Sequence, residues 1–183
     1  MAYKWDKSYS DDDWIYINNN TNKARFVLGV KGDNPLIVFG INPSTASDKE
    51  PDATLIRVEK VAKTKKHDSW IMLNVYPSRE THIEKMVNFD KKLHKENLKQ
   101  IEKILDQYPN SLILAAWGDI EHKLAPSIKK DIKKCLKDIN DVIVKKGRKW
   151  SALKDIGFPV HFLYTGAGFK LYEADFVDFT PNV

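Results

Sequence analysis

The chain has 183 residues, 42% hydrophobic and 30% charged, a composition suited to one globular domain with a complete core. Its formal charge of +5 comes mostly from lysine, and mild basicity of this size does not define a nucleic-acid binder. The one cysteine, Cys135, excludes an internal disulfide framework and a cysteine-rich zinc site. No apolar run approaches the ~20 residues that span a bilayer, and the opening residues carry no signal-peptide core. The expected setting is therefore the cytoplasm, with no membrane partner.

Residues 1–13 are polar and read as an irregular lead-in. Trp14-Ile15-Tyr16-Ile17 and residues 24–30 are aromatic and β-branched runs separated by Asn18-Asn19-Asn20-Thr21-Asn22, which predicts an N-terminal β-hairpin over 14–30. Leu36-Ile37-Val38-Phe39 and Trp70-Ile71-Met72-Leu73 read as buried strands, as do residues 112–116 and 160–163. Between them lie three helical stripes. Asp52 caps the first, which carries Leu55, Val58 and Val61; the second carries Leu98, Ile101 and Ile104. Pro126 opens the third, which runs through Ile128, Ile132, Ile139 and Ile143 to a stop near Gly147. The spacing of Phe169, Tyr172, Phe176 and Phe179 predicts a short docked helix in the tail.

This alternation predicts an α/β fold: a three-layer αβα sandwich around a central, mostly parallel four-stranded sheet, preceded by the hairpin. The whole is read as a single domain over 1–183, with an α/β core at 36–164 and a tail at 165–183. The lysine-rich stretch 123–149 reads as a solvated helix face, with contact to a polyanion as the alternative.

In such sheets the ligand crevice lies beyond the carboxyl ends of the strands, so residues just after each strand are the candidates. After the first comes Gly40-Ile41-Asn42-Pro43-Ser44-Thr45-Ala46, which is either a crevice loop offering the Asn42 amide or a turn held by its own side chains. Asn74 ends the second strand and suits recognition of an amide-like edge, or caps the strand. Trp117 follows the third as a stacking platform or a core residue. His161 lies in the fourth as a donor to a developing anion or a structural histidine. Asp52, Thr54 and Arg57 open the first helix, where Ser44, Thr45, Thr54 and Arg57 would cradle a phosphate and Asp52 would cap or orient. The histidines form no ligand-spaced pair, so neither a metal nor another cofactor is expected.

Arg25-Phe26-Val27-Leu28, Asn42-Pro43-Ser44-Thr45-Ala46, Asp52-Ala53-Thr54-Leu55-Ile56-Arg57, Asn74-Val75-Tyr76, Ala116-Trp117-Gly118 and the segment from Gly157 to Tyr164 follow one another in order. Together they resemble a bacterial and phage family known as domain of unknown function 1643. The family reads His-Pro-Leu-Tyr where this chain has His161-Phe162-Leu163-Tyr164.

More distantly, Gly40-Ile41-Asn42-Pro43, Leu73-Asn74, residues 114–118 and His161 are similar to the motifs of the uracil-DNA glycosylase superfamily. That resemblance implies a glycosylase-like fold. It implies catalytic roles for Asn42, which would place the attacking water, and His161, which would steady the departing base. Asn74 would read the base, with Tyr76 and Trp117 beside it. No proline-serine-proline wedge follows His161.

Three functions stay open. One is hydrolysis of an N-glycosidic bond in a nucleic acid or nucleotide, with single-stranded or mispaired DNA as the preferred partner. The second is binding of a nucleotide, nucleobase or DNA end without catalysis, and the third is a protein-interaction domain.

Overall fold

The computed structural model of the protein describes residues 4–5, 9–79, 89–153, 158–164 and 166–183. Its strands are β1 (Trp14–Asn18), β2 (Arg25–Val30), β3 (Pro35–Gly40), β4 (Ser69–Asn74), β5 (Ile113–Ala115), β6 (Trp150–Ala152) and β7 (Val177–Phe179). The helices are α1 (Ala53–Thr64), α2 (Lys91–Gln107), the short α3 (Ile120–Lys123) and α4 (Pro126–Lys145).

The described strands form one seven-stranded sheet in the order β1-β2-β4-β3-β5-β6-β7. β4, β3, β5 and β6 run parallel to their neighbours in this set, and antiparallel strands bracket them: β2 against β4, with β1 outermost, and β7 against β6. The sheet is thus wider than the expected four strands, three of the expected runs lie within it as β3, β4 and β5, and the hairpin strands form one of its edges.

Alternation along β3 makes three layers. Leu36 and Val38 project to one face, where Leu55, Val58 and Val61 of α1 cover them. Ile37 and Phe39 project to the other, among Ile101 and Ile104 of α2 and Ile132 and Ile139 of α4. Strands covered on both faces have no polar alternation, which is why β3 and β4 read as continuous apolar runs and are buried throughout.

Helix ends follow local chemistry. Asp52 Oδ1 accepts from the Leu55 amide at 2.9 Å, and Asp90 accepts from Lys92 and Leu93 to start α2. Beyond α4, the Gly147 amide donates to Val144 O and the Arg148 amide to Ile143 O, the paired bonds of a Schellman stop. Gly147 sits at φ 67° to make them. The same pair of bonds closes α1, but there Lys66 occupies the left-handed position, at φ 63°.

Two expectations need correction. Residues 160–163 are not a strand: the Tyr164 amide donates to His161 O at 2.8 Å, closing a turn. Their apolar character comes from docking, with Val160 and Phe162 fully buried and Phe162 packed in the α1-side core. The fourth parallel strand is β6, three residues behind a basic loop and too short to show a period. The tail is not a helix either. It makes a brief 3-10 turn at Gly166–Gly168 and then adds β7 to the sheet.

The five tryptophans divide between the layers. Trp5, Trp14 and Trp70 form an aromatic stack on the α1 side, with Trp5 and Trp70 ring centroids 5.4 Å apart. Trp117 and Trp150 meet edge-to-face at 5.0 Å on the other side.

Candidate functional site

From the central β3 the chain moves outward to β4, then returns across β3 to β5 and onward to β6. The order reverses between β3 and β5, so their carboxyl ends diverge and leave a crevice. Two adjoining cavities lie there. The first, of about 300 Å³, is bounded by Arg25, Gly40, Asn42, Ser44, Asp52 and Thr54, among others. The second, of about 280 Å³, is bounded by Trp117, Gly118, Asp119, Lys123 and Tyr164. Ile41, His161 and Leu163 border both, so His161 stands on the ridge between them.

Local geometry sets the state of that histidine. The Leu163 amide donates to His161 Nδ1 at 3.1 Å, which leaves the ring proton on Nε2. Burial holds the imidazole pKa below its ordinary 6.5, reinforced by Lys123 and Arg57 and opposed by Asp52. His161 is therefore a neutral hydrogen-bond donor near neutral pH.

Asn42 borders the first cavity, and its amide donates to Pro43 O at 3.2 Å and Ser78 O at 3.4 Å. Ser44 and Thr54 border the same cavity. Asp52 does too, while capping α1. Thr45 is exposed and is not among the residues bordering either cavity.

Arg57 is committed differently from the expected cradle. Its Nη1 donates to Phe162 O at 2.9 Å, tying α1 to the segment that carries His161. Asn74 pairs in register with Gly40, so both asparagines do lie at the carboxyl end of the sheet. Its side chain, however, is 0% exposed and sits beneath Gly40 rather than on the cavity wall. Both of its amide atoms lack a hydrogen-bond partner among the described residues, while Asn97 Nδ2 holds its backbone carbonyl from α2 at 2.9 Å.

Tyr76 corrects the base-binding expectation. It is buried in the core on the α2 side, where its hydroxyl accepts from the Asp90 amide at 2.9 Å. Two residues beyond the end of β4, its side chain packs in the α2-side core and is not among the residues bordering either cavity. Trp117 is 4% exposed and borders the second cavity while packing on Trp150 and Phe179.

Two arginines were not singled out from the sequence. Arg25, at the start of β2, borders the first cavity although it is 2% exposed. Arg79 knots the crevice loop to the hairpin: it donates to Ser44 O at 3.1 Å, Thr45 O at 2.7 Å, Tyr16 Oη at 2.8 Å and Asn22 Oδ1 at 2.7 Å. Arg25 opens one of the motifs that carry the family resemblance, whereas Arg79 lies in the loop after β4 and has no comparable signal.

Elsewhere, in the lysine-rich region, Lys129 and Lys133 meet Glu121, Lys137 meets Asp141, Lys146 meets Asp106 and Lys149 meets Asp178. Burial pushes the Cys135 thiol up to about 12, so it is not a nucleophile at neutral pH. Among the described residues no group of three His, Cys, Asp or Glu side chains is arranged to hold a metal ion, and no helix is long and apolar enough to cross a membrane.

Sheet, switch point and crevice define an open α/β protein with a polar pocket at the carboxyl end of its parallel strands. The chain belongs to the family described as protein of unknown function (DUF1643), which matches residues 25–163, about three quarters of its length. That span begins at Arg25 and closes on the turn carrying His161, so it contains every residue named on the first cavity and all of those on the second but Tyr164, and it leaves out β1 and β7. Neither a curated protein nor a solved structure matches the chain.

Proposed function

We propose that the crevice receives a nucleobase and that the protein hydrolyses an N-glycosidic bond. The observation that carries this reading is His161, a neutral imidazole whose remaining Nε2 proton is available beside the crevice. Breaking the bond between the sugar carbon and the base nitrogen leaves an electron pair on the base. A fixed, uncharged donor stabilises that anion without first having to lose a proton. Asn42 would accept a hydrogen bond from water placed at the sugar carbon, with the water's proton passing to solvent. The unpaired Asn74 amide lies one residue layer beneath the floor, and a base edge reaching it would satisfy both its donor and its acceptor.

Binding without turnover is the second reading, and one observation favours it. Asp52, the carboxylate bordering the same cavity as Asn42, is engaged as the cap of α1, so no free base is evident for the water.

The test is release of free base from uracil- or mismatch-containing oligonucleotides, single-stranded and duplex. Slow release that is strongest on single strands is expected, because an unpaired base costs less to extrude. It should fall at least tenfold in both Asn42→Ala and His161→Ala. Wild-type release no greater than in these variants, on every strand type, rules out hydrolysis; base or nucleotide binding in the same crevice would then stand alone.

A further inference from the structure

We propose that the crevice binds a phosphate group of its ligand through the guanidinium of Arg25, at the opening of the family-matched span. This deepens the proposed function, resting on it only in taking the crevice as the binding site.

Arginine keeps its charge even where burial disfavours it, and a buried one ordinarily meets a carboxylate. Arg25 does not follow that pattern. It is 2% exposed, and among the described residues its guanidinium makes one hydrogen bond, from Nη1 to the backbone oxygen of Ala46 at 2.7 Å. Nε is sealed from solvent and has no hydrogen-bond partner among the described residues. A planar fork with five donors is thus held rigidly at the wall of the first cavity with most of its capacity unspent.

The groups around it set the sign of the ligand. Asp52 attracts the guanidinium, Arg79 repels it, and Tyr16 is also within electrostatic reach. Asp52 borders the same cavity, but its carboxylate accepts from the Leu55 amide and lies at the positive end of α1. Arg79, for its part, is consumed by five acceptors of the loop and hairpin. Burial with too little counter-charge pushes the Arg25 pKa down to about 10, so it still carries its proton at neutral pH. Set against the guanidiniums of Arg25 and the nearby Arg79, the one carboxylate of Asp52 leaves positive charge for an anionic ligand to meet.

The surroundings favour phosphate over a carboxylate. The hydroxyl residues Ser44 and Thr54 border the same cavity, and so does Ala53, whose backbone opens the first turn of a twelve-residue helix. First-turn amides have no partner within their own helix. Donors from a strand, a loop and a helix start converge from several directions, which suits a tetrahedral group with three or four oxygens better than a planar one with two. This assignment replaces Arg57 as the main anion contact, since Arg57 is tied to Phe162 O.

The experiment is titration of the full chain at low salt with inorganic phosphate, uridine 5′-monophosphate and an unphosphorylated single-stranded oligonucleotide. It is followed by calorimetry and by the arginine side-chain Nε–H resonances. Phosphate should shift the Arg25 resonance, and Arg25→Lys, which keeps the charge but loses the fork, should weaken binding at least tenfold. Arg57→Ala should change it less than threefold. Stronger binding of the mononucleotide identifies a terminal phosphate; stronger binding of the oligonucleotide identifies the diester backbone. Phosphate that leaves the wild-type Arg25 resonance unmoved overturns the proposal, and this reading needs no variant to fold. A loss confined to Arg57→Ala overturns it equally. Base release that proceeds without phosphate binding at Arg25 defeats this inference alone, whereas phosphate binding without base release defeats only the hydrolytic reading.

Discussion

Two single residues decide whether the crevice keeps its shape and its charge state. At Gly40 a Cβ would stand 2.5 Å from Met72 Cε, the free end of a flexible side chain that can swing aside, and 3.2 Å from Asn74 Oδ1, so a side chain there presses on the buried Asn74 amide. His161 decides the charge. Its pKa is held below the ordinary value, so the unfolded chain takes up a proton there at a higher pH than the native protein does. Stability therefore falls as pH drops through about 6.5 towards the native pKa, and it is fully present above that window. His67 shifts in the same direction, chiefly by burial, and shares the effect. The measurement is the thermal midpoint between pH 8 and pH 5. His161→Gln should show a shallower decline than the wild type, and an unchanged decline would mean that His161 is not held neutral by its surroundings.

At the scale of elements, the two Schellman stops make a matched pair of tests. α4 ends on Gly147 and α1 on Lys66, both in the left-handed region, and both side-chain positions face outward. A side chain in that region costs roughly 1–2 kcal/mol, part of which glycine returns through its freer unfolded state. Lys66→Gly should therefore stabilise the protein by about 0.5–1 kcal/mol, and Gly147→Ala should destabilise it by a similar amount. Chemical denaturation with an unchanged slope is the check. These ends also show which elements were legible in the sequence. Asp52, Pro126 and Gly147 are local signals acting over one turn, and they mark the helices correctly. β6 escaped notice because three residues carry no measurable period, and 160–163 was misread because a docked turn can be as apolar as a strand. β7 was hidden by aromatic spacing that fits a helix, although only partner β6 decides its pairing.

Across the whole molecule, the sequence placed Asn42, Ser44, Asp52, Thr54 and His161 around one crevice because strand ends in an open sheet gather at one edge. It missed Arg25 because that residue comes from an antiparallel strand, outside the rule that a parallel sheet supplies its site from following loops. It misjudged Tyr76 because the direction of a side chain just past a strand depends on how the ladder continues, here with the Tyr76 amide bonded to Ile41 O at 3.0 Å. The division of the tryptophans has a further use. Trp117 borders the second cavity, whereas Trp5, Trp14 and Trp70 are stacked in the opposite layer. The molecule thus carries two optical reporters separated by the thickness of its own sheet. A nucleobase entering the second cavity should quench the emission of the Trp117 and Trp150 pair, and Trp117→Phe should abolish that quenching. The stacked trio, remote from the occupant, would keep its near-ultraviolet dichroism in both proteins, an internal standard showing that light was lost to a bound base and not to unfolding.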